Sequence, residues 1–405
     1  MKIKIAWQIF ISLLILGLLT PTLKSFYFFM GWRWQYIFIL SFLIAYFLIP
    51  FCKWAALKFK ILDKPDWRKM HNQPTPLLGG VGIYLAFVIS LFLNNVYLPG
   101  MKIILIGAGF IFFMGLWDDI KPIPALLKFI IQITIALVVI LVGDIQMTFF
   151  YNTPWAPFIN IPLTIFWIVG VTNALNFFDG IDGLAVSISI IIAFFLGVIA
   201  FRTNQPALGW FAVALIGVCL GFLPYNFRIN KSAQLFLGDA GSTFLGFTLA
   251  GLALLGHWST TNPFVSLAAP ILIFGVLIFD MTYVNLSRIK NKQAKNFFDL
   301  LKCVNQDHLH HRLIFMGFAY KETVFIISTL SACLGVAALI IMKQDIFEAL
   351  LGLGQAVLIF GLIMALMFKG RERIPKSGDR RNMQRRREDR LHLVYSKKED
   401  NRKSQ

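Results

Sequence analysis

Five short clusters of polar residues interrupt a chain dominated by Ile, Leu and Phe. Asp118 and Asp119 end the apolar run F-I-F-F-M-G-L-W. Asn173 to Leu184 reads N-A-L-N-F-F-D-G-I-D-G-L, with amides at 173 and 176 and carboxylates at 179 and 182. Three-residue spacing puts Asn173 and Asn176 on one helical face, and Gly180 and Gly183 permit a tight turn. Four side-chain oxygen groups exceed what an Asx turn needs. They are the ligand type Mg²⁺ takes beside water and phosphate. Phe236 to Phe247, F-L-G-D-A-G-S-T-F-L-G-F, opens a helix with Asp239 or Ser242 as its cap; a helix start also attracts phosphate, which Asp239 could bridge through a cation. Asp307 to Leu313, D-H-L-H-H-R-L, carries His308, His310, His311 and Arg312. Its lack of H-E-x-x-H argues against a zincin, while imidazole beside guanidinium suits a diphosphate. The fifth cluster, Asp63 to Gly80, is basic and proline-punctuated. It reads equally as a membrane-interface anchor or an anion contact.

Each cluster has a plainer reading. Asp118–Asp119 could merely stop a helix, Ser242 could simply cap one, and Lys128 alone is a snorkelling anchor. Their common placement favours chemistry. The sequence is 58% hydrophobic and 14% charged, and its apolar runs of about 20 residues match transmembrane helices. Continuous rather than alternating runs exclude a barrel. The expected fold is therefore all-α, a polytopic bundle of about 11–12 spans. They lie near 5–23, 35–57, 79–98, 101–117, 126–143, 161–176, 184–201, 207–224, 242–258, 264–286, 322–342 and 346–368. The first is read as an uncleaved helix rather than a signal peptide.

Lys and Arg concentrate in alternate loops, at 58–69, 121–128, 228–231, 288–321 and after Phe368. The positive-inside rule makes those loops cytoplasmic, with both termini on that side. All five polar clusters then fall at one membrane face, as a composite site. A transporter would instead place such groups near the bilayer midplane, often in an inverted repeat; no repeat is evident. Residues 369–405 form a polar, arginine-rich tail attracted to anionic lipid, without a fold for nucleic acid. The four cysteines have neither metal nor disulfide spacing.

Taken in order, D-K-P-D-W-R-K-M-H, P-T-P-L-L-G-G, D-D, N-A-L-N-F-F-D-G-I-D-G-L-A, L-G-D-A-G-S-T-F-L-G and H-L-H-H-R-L resemble the motifs of the polyprenyl-phosphate N-acetylhexosamine-1-phosphate transferases of glycosyltransferase family 4. The likeness covers about residues 35–345. It implies a transferase domain over 35–368, with the helix in 1–34 as an addition. It further implies a bacterial inner-membrane enzyme that moves a sugar-1-phosphate from a UDP-N-acetylhexosamine to undecaprenyl phosphate and releases UMP, with Mg²⁺ or Mn²⁺. H-L-H-H-R-L looks like the branch using UDP-N-acetylglucosamine; the MurNAc-pentapeptide branch and quinovosamine- or fucosamine-type donors are the alternatives. By the resemblance, Asp239 and Asn176 are metal contacts, with Asp179 close by. Asp118 and Asp119 act on the lipid phosphate with Lys128. Phe236 and the Gly180–Asp182 turn match positions that hold uracil, Asn173 shares the diphosphate wall, and His308, His310, His311 and Arg312 meet the sugar-diphosphate. The oligomeric state, including a homodimer, and the downstream polymer (lipopolysaccharide, O-antigen or teichoic acid) stay open.

Overall fold

A computed structural model describes residues 2–64, 73–148, 153–228, 231–258, 263–292, 306–342 and 346–372. Asp66 to His71 of the D-K-P-D loop, Cys303 and most of the basic tail lie outside them. The helices are α1 (Lys2–Leu18), α2 (Pro21–Phe29), α3 (Arg33–Lys58), α4 (Gly79–Leu93), α5 (Met101–Ile120), α6 (Ala125–Gly143), α7 (Ala156–Phe178), α8 (Leu184–Arg202), α9 (Pro206–Asn226), α10 (Gly238–Leu255), α11 (Pro263–Ile273), α12 (Gly275–Lys290), α13 (Leu309–Phe315), α14 (Tyr320–Ile341) and α15 (Ile346–Glu372). Two-residue strands β1 (Leu62–Asp63) and β2 (Thr75–Pro76) pair antiparallel. The protein is an all-α, multi-pass membrane bundle.

Among the described residues, nine helices are long and apolar enough to span a bilayer, and two bent pairs raise the number to 11. The pair α1–α2 bends by 63°. Pro21 forces Thr20 into an extended conformation and so ends α1. The pair α11–α12 bends by 74° at Phe274, one turn after Pro270, whose ring removes a helical donor. The span expected over 79–98 is the shorter α4 of 15 residues. It stops where the chain turns at Asn94 and Asn95, the latter in the left-handed region.

The centre of the bundle is α10. It packs against α4, α5, α7 and α8, and 83% of its spanning window is buried, against 28% for the lipid-facing α6. A helix shielded from lipid by protein does not need uniformly apolar side chains. Hence α10 can carry Gly, Ser and Thr where its neighbours carry Ile and Leu. Small residues also let backbones approach. A Cβ on Gly80 of α4 would lie 2.3 Å from the Gly241 backbone nitrogen. The chain before α10 is held by main-chain bonds from Phe236 N to Pro76 O, Gly79 N to Phe236 O and Gly80 N to Leu237 O. The P-T-P-L-L-G-G segment thus seats the N-terminus of α10 against α4.

Candidate active site

Asp118 and Asp119 are neighbours near the end of α5, about 100° apart around the helix, and do different work. Asp119 accepts hydrogen bonds from the amides of Asp239 (2.8 Å) and Ala240 (3.1 Å). It therefore caps α10 from a different helix, satisfying donors that a helix start leaves open. This corrects the expectation that Ser242 or Asp239 caps α10. Ser242 Oγ instead donates to the Gly238 carbonyl one turn back. Gly238 has φ +76°, and a Cβ there would lie 2.6 Å from an Asp119 carboxylate oxygen.

Asp118 accepts from the Ile123 amide at 2.7 Å and is ion-paired with Lys128. The Lys128 ammonium also lies 3.0 Å from Asp239 Oδ2. The other oxygen of Asp239 accepts from Asn176 Nδ2 at 3.1 Å, and that amide nitrogen also donates to Ser242 Oγ at 2.8 Å. Asn176 and Asp239 thus lie together; the amide nitrogen orients the carboxylate, and only the remaining Asn176 oxygen is available to a cation. Asn173, one turn deeper, is not part of this group. Its Nδ2 donates to Gln132 Oε1 at 2.6 Å, a partner the sequence pattern did not suggest.

The turn after α7 forms a further part of the site's wall. Asp182 accepts from the Ala233 amide at 2.9 Å. Asn226, at the end of α9, accepts from Gly183 N at 2.8 Å and donates to the Leu235 carbonyl. Asn226 was not singled out in the sequence, where it is a lone polar residue after L-P-Y. Asp179 has no hydrogen bond to its carboxylate among the described residues. Burial, followed by the charges of Asp239, Asp119, Asp182 and Asp63, raises its pKa well above the ordinary carboxylate range.

A cavity of about 790 Å³ lies at one end of the bundle, with carboxylates from Asp63, Asp118, Asp119, Asp179, Asp182 and Asp239 in its wall; Lys128, Asn173 and Asn176 stand behind this lining. Phe236, Gly180 and His311 also line it, as do Arg228, Lys231 and Lys321, which the sequence had shown only as markers of membrane orientation. His310 is buried against Gly180: a Cβ on that glycine would lie 2.5 Å from His310 Nε2. Neither ring nitrogen of His310 has a hydrogen-bond partner among the described residues. Burial pushes its pKa well below the usual imidazole value, and burial, then His308, takes His311 down to about 4.

His308 and Arg312 face elsewhere. His308 Nδ1 is 2.7 Å from Asp280 of α12, and the ring stacks on Phe177. The Arg312 side chain is 2% exposed and bonds two main-chain carbonyls, with Nε 2.6 Å from Asp307 O and Nη1 2.6 Å from Met367 O. Neither residue lines the cavity, in contrast to their expected contact with the sugar-diphosphate.

Oxygen-only donors suit Mg²⁺, which uses one or two carboxylates together with water and substrate phosphates. Among the described residues no group of three Asp, Glu, His or Cys side chains is placed to hold a metal ion; Asp239 and Asp179, whose carboxylate has no hydrogen bond among the described residues, supply the one or two carboxylates that Mg²⁺ uses beside water and phosphate. Cations beside carboxylates in one cavity can hold a diphosphate and counter the charge that moves during phosphoryl transfer.

Residues 101–257 match a family model described as glycosyl transferase family 4. A Bacillus subtilis (strain 168) protein, named as a probable undecaprenyl-phosphate N-acetylglucosaminyl 1-phosphate transferase, is 33% identical over 322 residues, 77% of this chain and 86% of its own length. The Escherichia coli (strain K12) protein named undecaprenyl-phosphate alpha-N-acetylglucosaminyl 1-phosphate transferase is 28% identical over 72% of this chain and 79% of its own. A Yersinia pestis protein of the same name is 25% identical over 83% and 90%.

Proposed function

The chain belongs to glycosyl transferase family 4, and from that premise we propose that it transfers N-acetylglucosamine-1-phosphate from UDP-N-acetylglucosamine to undecaprenyl phosphate. The reading is supported above all by the cavity in which Asp118, Asp179 and Asp239 converge at one end of a membrane bundle, with Lys128 paired to two of these carboxylates. The names of the relatives support the acceptor and the sugar.

An oxygen of the acceptor phosphate attacks the β-phosphorus of the donor. The new P–O bond forms as the bridging P–O bond breaks, and its electron pair leaves on UMP. A phosphate monoester with a second pKa of about 6 is largely ionised near pH 7, so no strong base is needed. Lys128, oriented by Asp118, meets the acceptor phosphate, while Arg228, Lys231 and Lys321 attract the donor's phosphates. Asp239 and Asp179 would hold Mg²⁺ or Mn²⁺, which when bound supplies charge neutralisation at the diphosphate. Asp119 positions Asp239 by holding the start of α10. Phe236 and the Gly180–Asp182 turn take the uracil. The enzyme works from the cytoplasmic face of the inner membrane.

Purified protein with Mg²⁺, undecaprenyl phosphate and UDP-N-acetylglucosamine should release UMP and form a lipid of the corresponding mass. Asp239→Ala should abolish both products. Absence of UMP with every UDP-N-acetylhexosamine would overturn the transferase reading, and turnover with a different donor alone would reassign the sugar.

A further inference from the structure

Among the described residues the most deeply buried guanidinium is that of Arg312, and its surroundings connect two elements that share no motif. On the two-turn helix α13, residues two apart point about 200° from each other. His310 therefore faces the Gly180 turn while Arg312 faces away from it. The guanidinium lies beside Met367 and Asp307, bonding the carbonyl of each at 2.6 Å, and over the Tyr283 ring at 5.2 Å. Met367 lies near the C-terminal end of α15, where a helix favours a cation. Gly370 closes the contact, since a Cβ there would be 2.5 Å from Arg312 Cβ. The preceding residues are tied to α12: Arg288 forms two bonds to Asp307 at 2.9 and 2.7 Å, and Asp280 accepts from the Leu309 amide at 2.7 Å.

We propose that Arg312 is a positioning residue, through which the last membrane helix holds His310 and His311 against the Asp179–Gly180 turn. The inference deepens the transferase reading and rests on it for its kinetic part. A buried guanidinium already bonded to two carbonyls would leave a desolvated acceptor on α15 if it swung toward a substrate. His310 itself is held by packing alone, because both of its ring nitrogens lack partners among the described residues, whereas the start of α13 is tied to α12 through Asp280. The placement of His310 thus depends on how α13 is held at its start by Asp280 and on the opposite face of the helix, which Arg312 fixes to α15. The role of α15 in the site is indirect, as none of its described side chains lines the cavity.

Two variants and two measurements test this on the full-length protein in lipid nanodiscs. Arg312→Ala removes the latch from one side, and Gly370→Val intrudes on it from the other. Amide hydrogen exchange without substrate should accelerate in both variants at Leu309–Phe315 and at Met367–Gly370, while α10 stays protected. In the UMP-release assay both should raise KM for UDP-N-acetylglucosamine by ~10-fold or more, the loss of about one charge-assisted hydrogen bond. Arg312→Lys, which can reach one carbonyl, should fall between wild type and Arg312→Ala in both readouts. If Arg312→Ala raises KM while exchange is unchanged and Gly370→Val behaves as wild type, Arg312 is a direct substrate ligand and the proposal is overturned. Should Arg312→Ala not fold, Arg312→Lys and Gly370→Ala carry the same comparison. If the wild-type protein releases no UMP, the transferase reading fails; the exchange arm still decides whether the latch exists.

Discussion

Asp179 and His311 face the same cavity and respond to pH in opposite senses. Burial and four neighbouring carboxylates raise Asp179, so ionising it costs more in the folded protein than in the unfolded chain. Its contribution therefore lowers stability as pH climbs from the ordinary carboxylate value to the raised one. A protonated Asp179 is also a poor cation ligand. Mn²⁺ affinity, measured by titration calorimetry, should increase with pH through that range, and Asp179→Asn should flatten the dependence; an unaltered slope would remove Asp179 from the cation site. His311 works the other way. Its pKa falls from 6.5 to about 4 on folding, so stability is full above 6.5 and is lost as pH drops toward 4. His310 adds in the same direction. Thermal unfolding followed between these values should show the decline, with His311→Phe reducing it.

At the level of elements, the site depends on how closely α10 is held at its start. A Cβ on Gly80 would meet the backbone of Gly241, which cannot yield as a flexible side chain would. Gly80→Ala should therefore destabilise the protein by about 1–3 kcal/mol through overpacking, seen as a lower melting temperature in detergent. A melting temperature equal to that of wild type would show that α4 and α10 can separate without cost. Asp119→Ala leaves the amides of Asp239 and Ala240 without their acceptor. The loss of a cap is worth about 0.5–2 kcal/mol, and Asn, which retains one oxygen, should recover part of it. The helix positions were legible in the apolar runs. The bends at Thr20 and Phe274 were not, because a proline weakens a helix without stating the angle that packing will choose.

For the molecule as a whole, the inferred orientation puts the cavity in the cytoplasm. Lys321 lines the cavity and Lys102 stands at the other end of the bundle, at the start of α5. With the native cysteines replaced by serine, Lys321→Cys should react with a membrane-impermeant maleimide in inverted vesicles and not in intact spheroplasts. Lys102→Cys should show the reverse. The opposite pattern for the pair would invert the topology and exclude a cytoplasmic nucleotide donor.

Composition and patterning by themselves determined that this chain is an all-α membrane protein with polar clusters between its spans, since long apolar runs and the saturation of backbone hydrogen bonds in lipid admit little else. The clusters also marked Asp118, Asp179, Asp239 and His311 for one cavity. Only the tertiary structure decided how equivalent-looking residues divide. Asp119 bonds the amides of α10 while Asp118 pairs with Lys128; Asn176 meets Asp239 while Asn173 pairs with Gln132; His311 faces the cavity while Arg312 faces α15. Sequence spacing tells which residues share a helical face. It does not tell which neighbouring helix that face meets, because the partner comes from more than a hundred residues away in Asp119–Asp239 and from 55 away in Arg312–Met367.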